Sequence, residues 1–119
     1  GVVTSLPPNA KLSQRLRLRH QEEVMFVEEH RPIVLLGREL GNDVVIIDAR
    51  ASRQHARIER RRDGFVLIDQ SSNGCHVSID GDDERCIKGA ELSLTGSGRI
   101  GCGFSSKEIE RDLVFFDIV

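Results

Sequence analysis

The four residues Ser52 to His55 bring a hydroxyl, a guanidinium and an imidazole together just ahead of a strand-like alternation. These groups could act in catalysis, ligate a metal ion or hold an anion. Arg38 follows the apolar run IVLL and a glycine, so we expect it on a loop that leaves the end of a strand. A guanidinium offers a rigid fork of donors that matches phosphate oxygens, and Ser52 and Arg53 add a hydroxyl and a second charge. The segment therefore indicates a cradle for an anion.

Positive charge is concentrated around this segment. Seven arginines and four acidic residues lie between Gly37 and Arg62, although the whole chain carries a formal net charge of -2. We interpret Arg60 to Arg62 as the solvated tip of a hairpin. Nucleic-acid binding rests on many neutralised phosphates, so this overall charge predicts no nucleic-acid partner.

Catalysis is one alternative to anion binding. Cys75 and His76 are neighbours on a strand-like segment, where successive side chains point to opposite faces, so they do not form a nucleophile and base pair. The sequence leaves open a hydrolase that uses a serine with His55 and Asp69. No nucleophile-elbow motif surrounds either candidate serine, Ser52 or Ser72. We therefore expect no catalytic residues.

The cysteines and glycines give no cofactor signal. Cys75, Cys86 and Cys102 are odd in number and widely spaced, which argues against a disulfide framework or a metal site and suits a reducing compartment. The run GSGRIG matches a dinucleotide fingerprint, but that fingerprint needs a βαβ unit and only 18 residues follow Gly101. We interpret its glycines as shaping a tight loop or bulge between strands. We expect neither a metal nor a cofactor.

Short apolar runs at close spacing predict an all-β sandwich. The first run alternates strictly, with Leu16 and Leu18 on one face and arginines on the other, which is the period of a half-buried strand. Ten runs of this kind are strand candidates: RLRLRH, VMFV, IVLL, VVII, ARIER, FVLI, HVSI, ELSL, RIGC and LVFFDIV.

Local signals place the turns between these strands. Asp63-Gly64 and Asn73-Gly74 each stand between strand patterns and predict hairpin turns, since both residue types tolerate positive φ. SSKEIERDL predicts a short helical piece of one or two turns, with Ser105 and Glu108 at the spacing of a capping box.

The chain length predicts a single domain. We expect a linker or lead over residues 1–10 and the domain over residues 11–119. No apolar run reaches the roughly 18 residues that span a bilayer, and the first residues lack the order of a secretory signal. We therefore expect a cytoplasmic protein with no membrane partner, and the opening Gly1 suggests a segment of a larger protein.

Four motifs in order resemble one family. Gly37-Arg38, GNDVVI, SRQH and SSNG together are similar to the forkhead-associated (FHA) domain, and the resemblance extends from about Leu16 to Val119. The four motifs lie within 38 residues, which makes the set far more specific than any one of them. The resemblance implies a mostly antiparallel β-sandwich of about eleven strands whose loops at one end bind phosphothreonine peptides without catalysis.

Site residues follow from the resemblance at each matching position. It implies that Arg38 and Ser52 contact the phosphate, that Arg53 supports the phosphate or the peptide, that Ser72 faces the phosphothreonine, and that Asn73 bonds the peptide backbone.

The remaining matched residues support the site, and two positions depart from the family. The resemblance implies architectural roles for Gly37, His55 and Gly74, with His55 bracing the binding loop. Ser72 stands where the family often has threonine, which removes a methyl group that could rigidify the loop. Cys75 also stands where the family favours threonine. Neither change removes a charge or a backbone donor.

Two further expectations concern the parent protein. FVLIDQSSNG and LTGSGRIGCG are similar to FHA domains appended to bacterial adenylate or guanylate cyclases, which suggests a regulatory domain of a larger signalling protein. The alternative is a phosphoindependent oligomerisation or scaffold domain, because a sandwich can also pair its sheet faces or edges.

Overall fold

The computed structural model describes residues 14–119 and contains eleven β-strands within that range. The predicted lead over residues 1–10 lies outside the described residues, as do the first positions of the predicted domain. The strands are β1 Leu16–His20, β2 Glu23–Val27, β3 Ile33–Gly37, β4 Val44–Val45, β5 Ala56–Arg61, β6 Gly64–Asp69, β7 Cys75–Ile79, β8 Arg85–Ile87, β9 Glu91–Leu94, β10 Ser97–Cys102 and β11 Val114–Ile118.

These strands form two sheets. One has six strands in the order β2-β1-β11-β10-β7-β8, and the other has five in the order β4-β3-β5-β6-β9. All pairings among the named strands are antiparallel except β3 with β4. The all-β, mostly antiparallel sandwich predicted from the sequence is therefore confirmed.

Alternating side chains build the core between the sheets. In β1, Leu16 and Leu18 are fully buried whereas Arg17 and Arg19 face solvent. The other sheet supplies inward-facing residues in the same way, because side chains of one strand alternate between its two faces. The largest fully buried apolar side chains are Phe104, Leu16, Leu18, Leu36, Ile46, Ile58, Leu67, Leu94, Ile100, Val27 and Val34.

The strand predictions differ from the structure at two places. β8 was not predicted, since it has three residues, of which Arg85 and Cys86 are exposed. The predicted strand VVII is shorter, because only Val44 and Val45 pair with β3.

Both hairpin-turn predictions need correction. β5 and β6 do form a hairpin, but Arg61 pairs with Gly64, so the two loop residues are Arg62 and Asp63. Gly64 follows them at a φ of 151°, which suits glycine. Asn73-Gly74 makes no hairpin, because the strands on either side of it, β6 and β7, belong to different sheets. This dipeptide lies in a crossover loop.

Two other local predictions are partly right. Ser105 N–H donates to the Glu108 carboxylate at 3.2 Å, as in a capping box, but Ser105 Oγ accepts from Lys107 N–H at 3.1 Å and not from Glu108 N–H. The segment makes a turn there, and no helix occurs among residues 14–119. The GSGRIG glycines are only partly in a turn, since Gly98 and Gly101 lie within β10.

The two ends of the described chain lie side by side. Leu16 of β1 faces Ile118 of β11, and Arg15 and Val119 exchange backbone hydrogen bonds of 3.2 and 2.9 Å. Within the part of the chain that the structure describes, no helix is long and apolar enough to cross a membrane.

Candidate functional site

Three loops converge at one end of the sandwich, and we call them the rim. They span residues 38–43 between β3 and β4, residues 46–55 between β4 and β5, and residues 70–74 between β6 and β7. Every residue that the sequence predicts to contact a peptide lies on them: Arg38, Ser52, Arg53, Ser72 and Asn73. The rim therefore joins segments from both sheets.

Hydrogen bonds between the three loops fix their relative positions. Arg38 N–H donates to the carbonyl of Ser52 at 3.0 Å, which joins the first loop to the second. Ser72 N–H donates to Ser52 Oγ at 3.2 Å, and Asn73 Nδ2 donates to the Arg50 carbonyl at 2.9 Å, which joins the second loop to the third. These hydrogen bonds fix the polar groups of the rim relative to one another in the absence of a ligand.

The arginines of the rim differ in what they bind. Arg50 pairs with Asp48 at 3.0 Å and thereby lowers the pKa of that carboxyl. Arg38 is exposed and donates through Nε to the Ala51 carbonyl at 2.7 Å. Among residues 14–119, neither Arg38 nor Arg53 forms an ion pair with a carboxylate. Their terminal guanidinium donors therefore have no acidic partner among these residues.

The neutral polar groups of the rim retain bonding capacity. Ser52 Oγ accepts from Ser72, which leaves its own O–H proton to donate. Asn73 uses one amide proton on Arg50, so its second amide proton and its carbonyl oxygen remain. Ser72 and Asn73 are both exposed. Together with the guanidiniums, these groups can hold a phosphate and an adjoining peptide backbone.

His55 lies beneath the rim as a fully buried brace. Its Nδ1 accepts from Ser52 N–H at 2.9 Å, and because an amide N–H only donates, the ring proton must sit on Nε2. Nε2 donates to the Gly74 carbonyl at 2.8 Å. Burial lowers the pKa of His55, which favours this neutral form. The ring therefore ties the second rim loop to the third.

Two glycines allow the backbone of the rim to pack closely. A Cβ on Gly37 would collide with the Arg53 carbonyl and would lie 2.7 Å from Asn42 Nδ2. Gly74 has a φ of 83°, and a Cβ there would lie 2.7 Å from Cys86 Sγ and 2.9 Å from the Ile87 carbonyl. The predicted supporting residues Gly37, His55 and Gly74 thus all lie directly beneath or within the rim.

Asn42 supports the first loop, although sequence reasoning gave it no role. Its side-chain amide donates to the Arg53 carbonyl at 2.7 Å and to the Glu39 carbonyl at 2.9 Å. These bonds hold the loop that carries Arg38 against the loop that carries Ser52. The asparagine of the GNDVVI motif is the signal that could have identified it.

Asp69 and Asp112 anchor the rim loops from below, and neither had been assigned this role. Asp69 accepts from Ser71 Oγ at 2.6 Å and from Gly89 N–H at 2.8 Å. Asp112 accepts from the N–H groups at the base of the second loop at 3.0 and 2.8 Å and contacts His20 Nε2 at 2.7 Å. Buried carboxylates here satisfy backbone donors that would otherwise be costly to bury.

Three residues of the kinds that can bind a metal ion lie close together under the rim. One ligand atom from each of His55, Cys75 and Cys102 lies within 4.8 Å of the others, and all three residues are buried. Both ring nitrogens of His55 are engaged, however, by Ser52 and Gly74. A metal ligand needs a free lone pair on one ring nitrogen, so the bracing role of His55 competes with ligation.

A protein-family model and several solved structures match this chain. The FHA domain family model matches residues 34–94, which is more than half of the 119 residues. No curated protein sequence matches the chain.

Solved structures share the fold at low sequence identity. FHA-1 of Mycobacterium tuberculosis Rv1747 is 20% identical with a TM-score of 0.67, and the match covers 89% of this chain and 97% of that chain. M. tuberculosis EmbR, in complex with a low affinity phosphopeptide, is 25% identical with a TM-score of 0.63, covering 87% and 24%. The N-terminal FHA domain of Saccharomyces cerevisiae Rad53p, in complex with a phosphothreonine peptide, is 18% identical with a TM-score of 0.60, covering 87% and 91%.

Proposed function

The chain belongs to the FHA domain family, and from that premise we propose that its rim binds phosphothreonine-containing proteins as a non-catalytic signalling module. The observation that carries the proposal is the set of unpaired donors on three hydrogen-bonded loops, with Arg38 beside Ser52. A phosphothreonine brings a charge of about -1.5 to -2 and three strong acceptor oxygens. The rim supplies positive charge and hydrogen-bond donors that complement the phosphate. No carboxylate of residues 14–119 pairs with Arg38 and competes for it.

Each rim residue has a proposed part in binding. Arg38 and Ser52 contact the phosphate, through charge-assisted bonds and a hydroxyl donor. Ser72 faces the phosphothreonine, and Arg53 supports the phosphate or the peptide. Asn73 bonds the peptide backbone with the amide groups that its contact to Arg50 leaves over.

Relatives with the same fold support the ligand class. The EmbR structure contains a phosphopeptide, and the Rad53p domain structure contains a phosphothreonine peptide. We transfer to this chain the class of ligand alone, because the sequence identities are 25% and 18%.

Calorimetry with a phosphothreonine peptide library tests the proposal. We expect Kd values around micromolar, or about -8 kcal/mol, and no binding of the same peptides without phosphate. Arg38→Ala weakens binding at least tenfold, about 1.4 kcal/mol, because it removes the unpaired guanidinium. Arg62→Ala is the matched control, since Arg62 is exposed at the opposite end of β5.

Two outcomes contradict the proposal. Equal affinity for phosphorylated and unphosphorylated peptides shows that the rim does not read phosphate. Equal losses from Arg38→Ala and Arg62→Ala show a general charge effect instead of a site.

A phosphoindependent oligomerisation domain is the second candidate function. The outer face of β3 exposes Ile33 and Leu35, by 48% and 41%. Val66 and Ile68 lie on the same face, and Arg57 and Glu59 of β5 separate the two apolar pairs. Analytical ultracentrifugation distinguishes the candidates: a stable dimer abolished by Leu35→Asp, in a chain that binds no phosphopeptide, replaces the first proposal with this one.

The parent context is a further part of the proposal. We propose a cytoplasmic regulatory domain of a larger bacterial signalling protein, such as an adenylate or guanylate cyclase, from the resemblance of FVLIDQSSNG and LTGSGRIGCG to cyclase-appended domains. Sequencing the reading frame on both sides of the 119 residues tests this, and a frame without a cyclase catalytic domain contradicts it.

A further inference from the structure

Two cysteines face each other directly on neighbouring antiparallel strands. Cys75 of β7 is registered with Cys102 of β10. The next pair along the ladder, Gly74 with Gly103, is joined by a backbone hydrogen bond of 2.9 Å. Bonded and non-bonded pairs alternate along such a ladder, so the cysteines form a non-hydrogen-bonded pair with Cα atoms about 4.5 Å apart. A disulfide needs about 4.4–6.8 Å, and the backbone therefore already satisfies this requirement.

Both thiols point into the core and are free. Each cysteine is 0% exposed, and the two Sγ atoms belong to the cluster within 4.8 Å that also includes His55. Cys75 Sγ lies 3.2 Å from Asp69 Oδ1. The neighbouring Cys102 and burial raise the pKa of Cys75, so its thiol stays protonated while the fold is closed.

The pair is adjacent to the rim. Gly74 directly precedes Cys75, and its carbonyl accepts from both Gly103 N–H and His55 Nε2. Facing Cβ atoms of an antiparallel pair stand about 4.5–5.5 Å apart, whereas a disulfide holds them at about 3.5–4.5 Å. Closing this bond therefore moves the two Cβ atoms toward each other and shifts the backbone next to the carbonyl on which His55 rests.

We propose that Cys75 and Cys102 are an oxidative modification site, at which a reversible disulfide forms and displaces Gly74 at the base of the rim. The oxidant is a low-molecular-weight disulfide such as oxidised glutathione. Once the site opens, one cysteine loses its proton and attacks the reagent as a thiolate, which gives a mixed disulfide and one released thiol, and the second cysteine then displaces the other half. The protein loses two protons and two electrons, and the reagent becomes two thiols.

Access to the buried pair comes through the edge of the sheet. β8 is the edge strand beside β7, and it has only three residues. Elements with few buried contacts and exposed backbone open at a lower free energy than core strands. Cys86 lies on β8 and is exposed, but it is registered with His76, so it faces away from the buried pair.

Counting free thiols tests the bond. The chain is incubated with oxidised glutathione, quenched with acid, alkylated in denaturant and weighed by mass spectrometry. Of the three cysteines, the reduced protein gains alkyl groups on all three, and the oxidised protein gains none on Cys75 or Cys102, which are recovered as one linked peptide. Reduced glutathione restores all three.

Variants identify the partners and exclude an alternative. Cys86→Ser retains the internal disulfide, and Cys102→Ser gives no linked peptide, because Cys75 is then either alkylated or carries one glutathione. A protein that carries glutathione on Cys86 alone, with Cys75 and Cys102 alkylated at every glutathione ratio, overturns the proposal. If Cys102→Ser does not fold, the wild-type thiol count and linked peptide decide the question without it.

Amide chemical shifts test the effect on the rim. On oxidation we expect the backbone amides of Asn73, Gly74 and Gly103 to shift, while that of Gly64 at the opposite end stays in place. A disulfide that forms without moving these amides overturns the coupling to the rim. Neither readout uses a phosphopeptide, so this inference succeeds or fails separately from the proposed binding function.

Discussion

The two ends of the five-stranded sheet both carry arginines but use them differently. At the hairpin tip between β5 and β6, Arg61 contacts Glu59 at 3.2 Å and Glu91 at 2.9 Å, and these carboxylates raise its pKa. At the rim, Arg38 and Arg53 have no carboxylate partner within residues 14–119. The number of arginines in a segment therefore does not identify an anion site. What distinguishes the rim is that hydrogen-bonded loops hold Arg38 beside Ser52.

The ends also differ in what lies beneath them. The hairpin tip is itself a two-residue loop whose side chains are exposed. The rim, by contrast, lies over the buried His55 and over Gly37, which packs against backbone. The rim thus holds two arginines without a carboxylate partner among the described residues, Arg38 and Arg53, over a buried support, whereas Arg61 at the tip forms exposed ion pairs.

Removing the brace of the rim has the largest effect. His55→Ala leaves Ser52 N–H without its partner, which costs about 1–3 kcal/mol, removes one of the two donors to the Gly74 carbonyl and opens a cavity at a fully buried position. We expect the free energy of unfolding to fall by about 3 kcal/mol or more in urea denaturation. The control is His76→Ala, because His76 is only half-buried on the outer face of β7. Equal losses from the two variants would contradict the bracing role.

Adding one methyl group at Gly37, the last residue of β3 before the first rim loop, has the next largest effect. In Gly37→Ala the new Cβ collides with the Arg53 carbonyl, so the loops must separate, at about 1–3 kcal/mol of unfolding free energy. Gly41→Ala, within that loop, is the matched control, since a Cβ there meets no atom within 4 Å. Denaturation and peptide calorimetry on both variants check this. A Gly37→Ala protein as stable as Gly41→Ala shows that the loops are not in contact.

Lowering the pH destabilises the two ends of the sheet over different pH ranges. Because burial lowers the pKa of His55, the unfolded chain binds a proton near the ordinary value of 6.5 while the folded chain does not. The stability that neutral His55 contributes is therefore complete above pH 6.5. It is lost as the pH falls from 6.5 through the pKa that His55 has in the folded protein. At the tip, Arg61 lowers the pKa of Glu91, so that contribution is lost only below the ordinary value of 4.5. An NMR titration in which His55 has a pKa at or above 6.5 disproves the first part.

Removing the paired arginine at the tip has the smallest effect. Arg61→Ala breaks exposed ion pairs to Glu59 and Glu91, which salt already screens, and we expect only a slight loss of stability that shrinks further at high salt. Phosphopeptide affinity should stay at the wild-type value in calorimetry. A loss as large as that of Arg38→Ala would remove the distinction between the two ends.

The strands were largely predictable because alternation is a local signal. RLRLRH and FVLI carry the period and residue types of half-buried strands, and both are strands in the structure. β8 had no such signal, since its three residues include two exposed side chains. The Asn73-Gly74 dipeptide indicates a turn but does not specify whether the next strand joins the same sheet, so the hairpin prediction was wrong.

The residues of the rim could be located by motif, but their supports could not. Arg38 and SRQH lie close in sequence to the strands that present them. Asp112, by contrast, binds Ile47 N–H from 65 positions away, and Asp69 binds Gly89 N–H from 20 positions away. Such contacts depend on how the sheets are assembled, which local periodicity does not specify.

The side-by-side placement of Arg15 and Val119 has a practical consequence. Val119 follows the end of β11 at which Asp117 pairs with Ser97, and Ser97 is at the opposite end of β10 from Cys102. Arg15 and Val119 therefore lie far from the Cys75–Cys102 pair, and hence from the rim. A surface tether attached after Val119 would therefore leave the loops at the other pole open to solvent. Immobilised in this way, the domain would present its arginines outward, as an array for capturing phosphorylated chains would require.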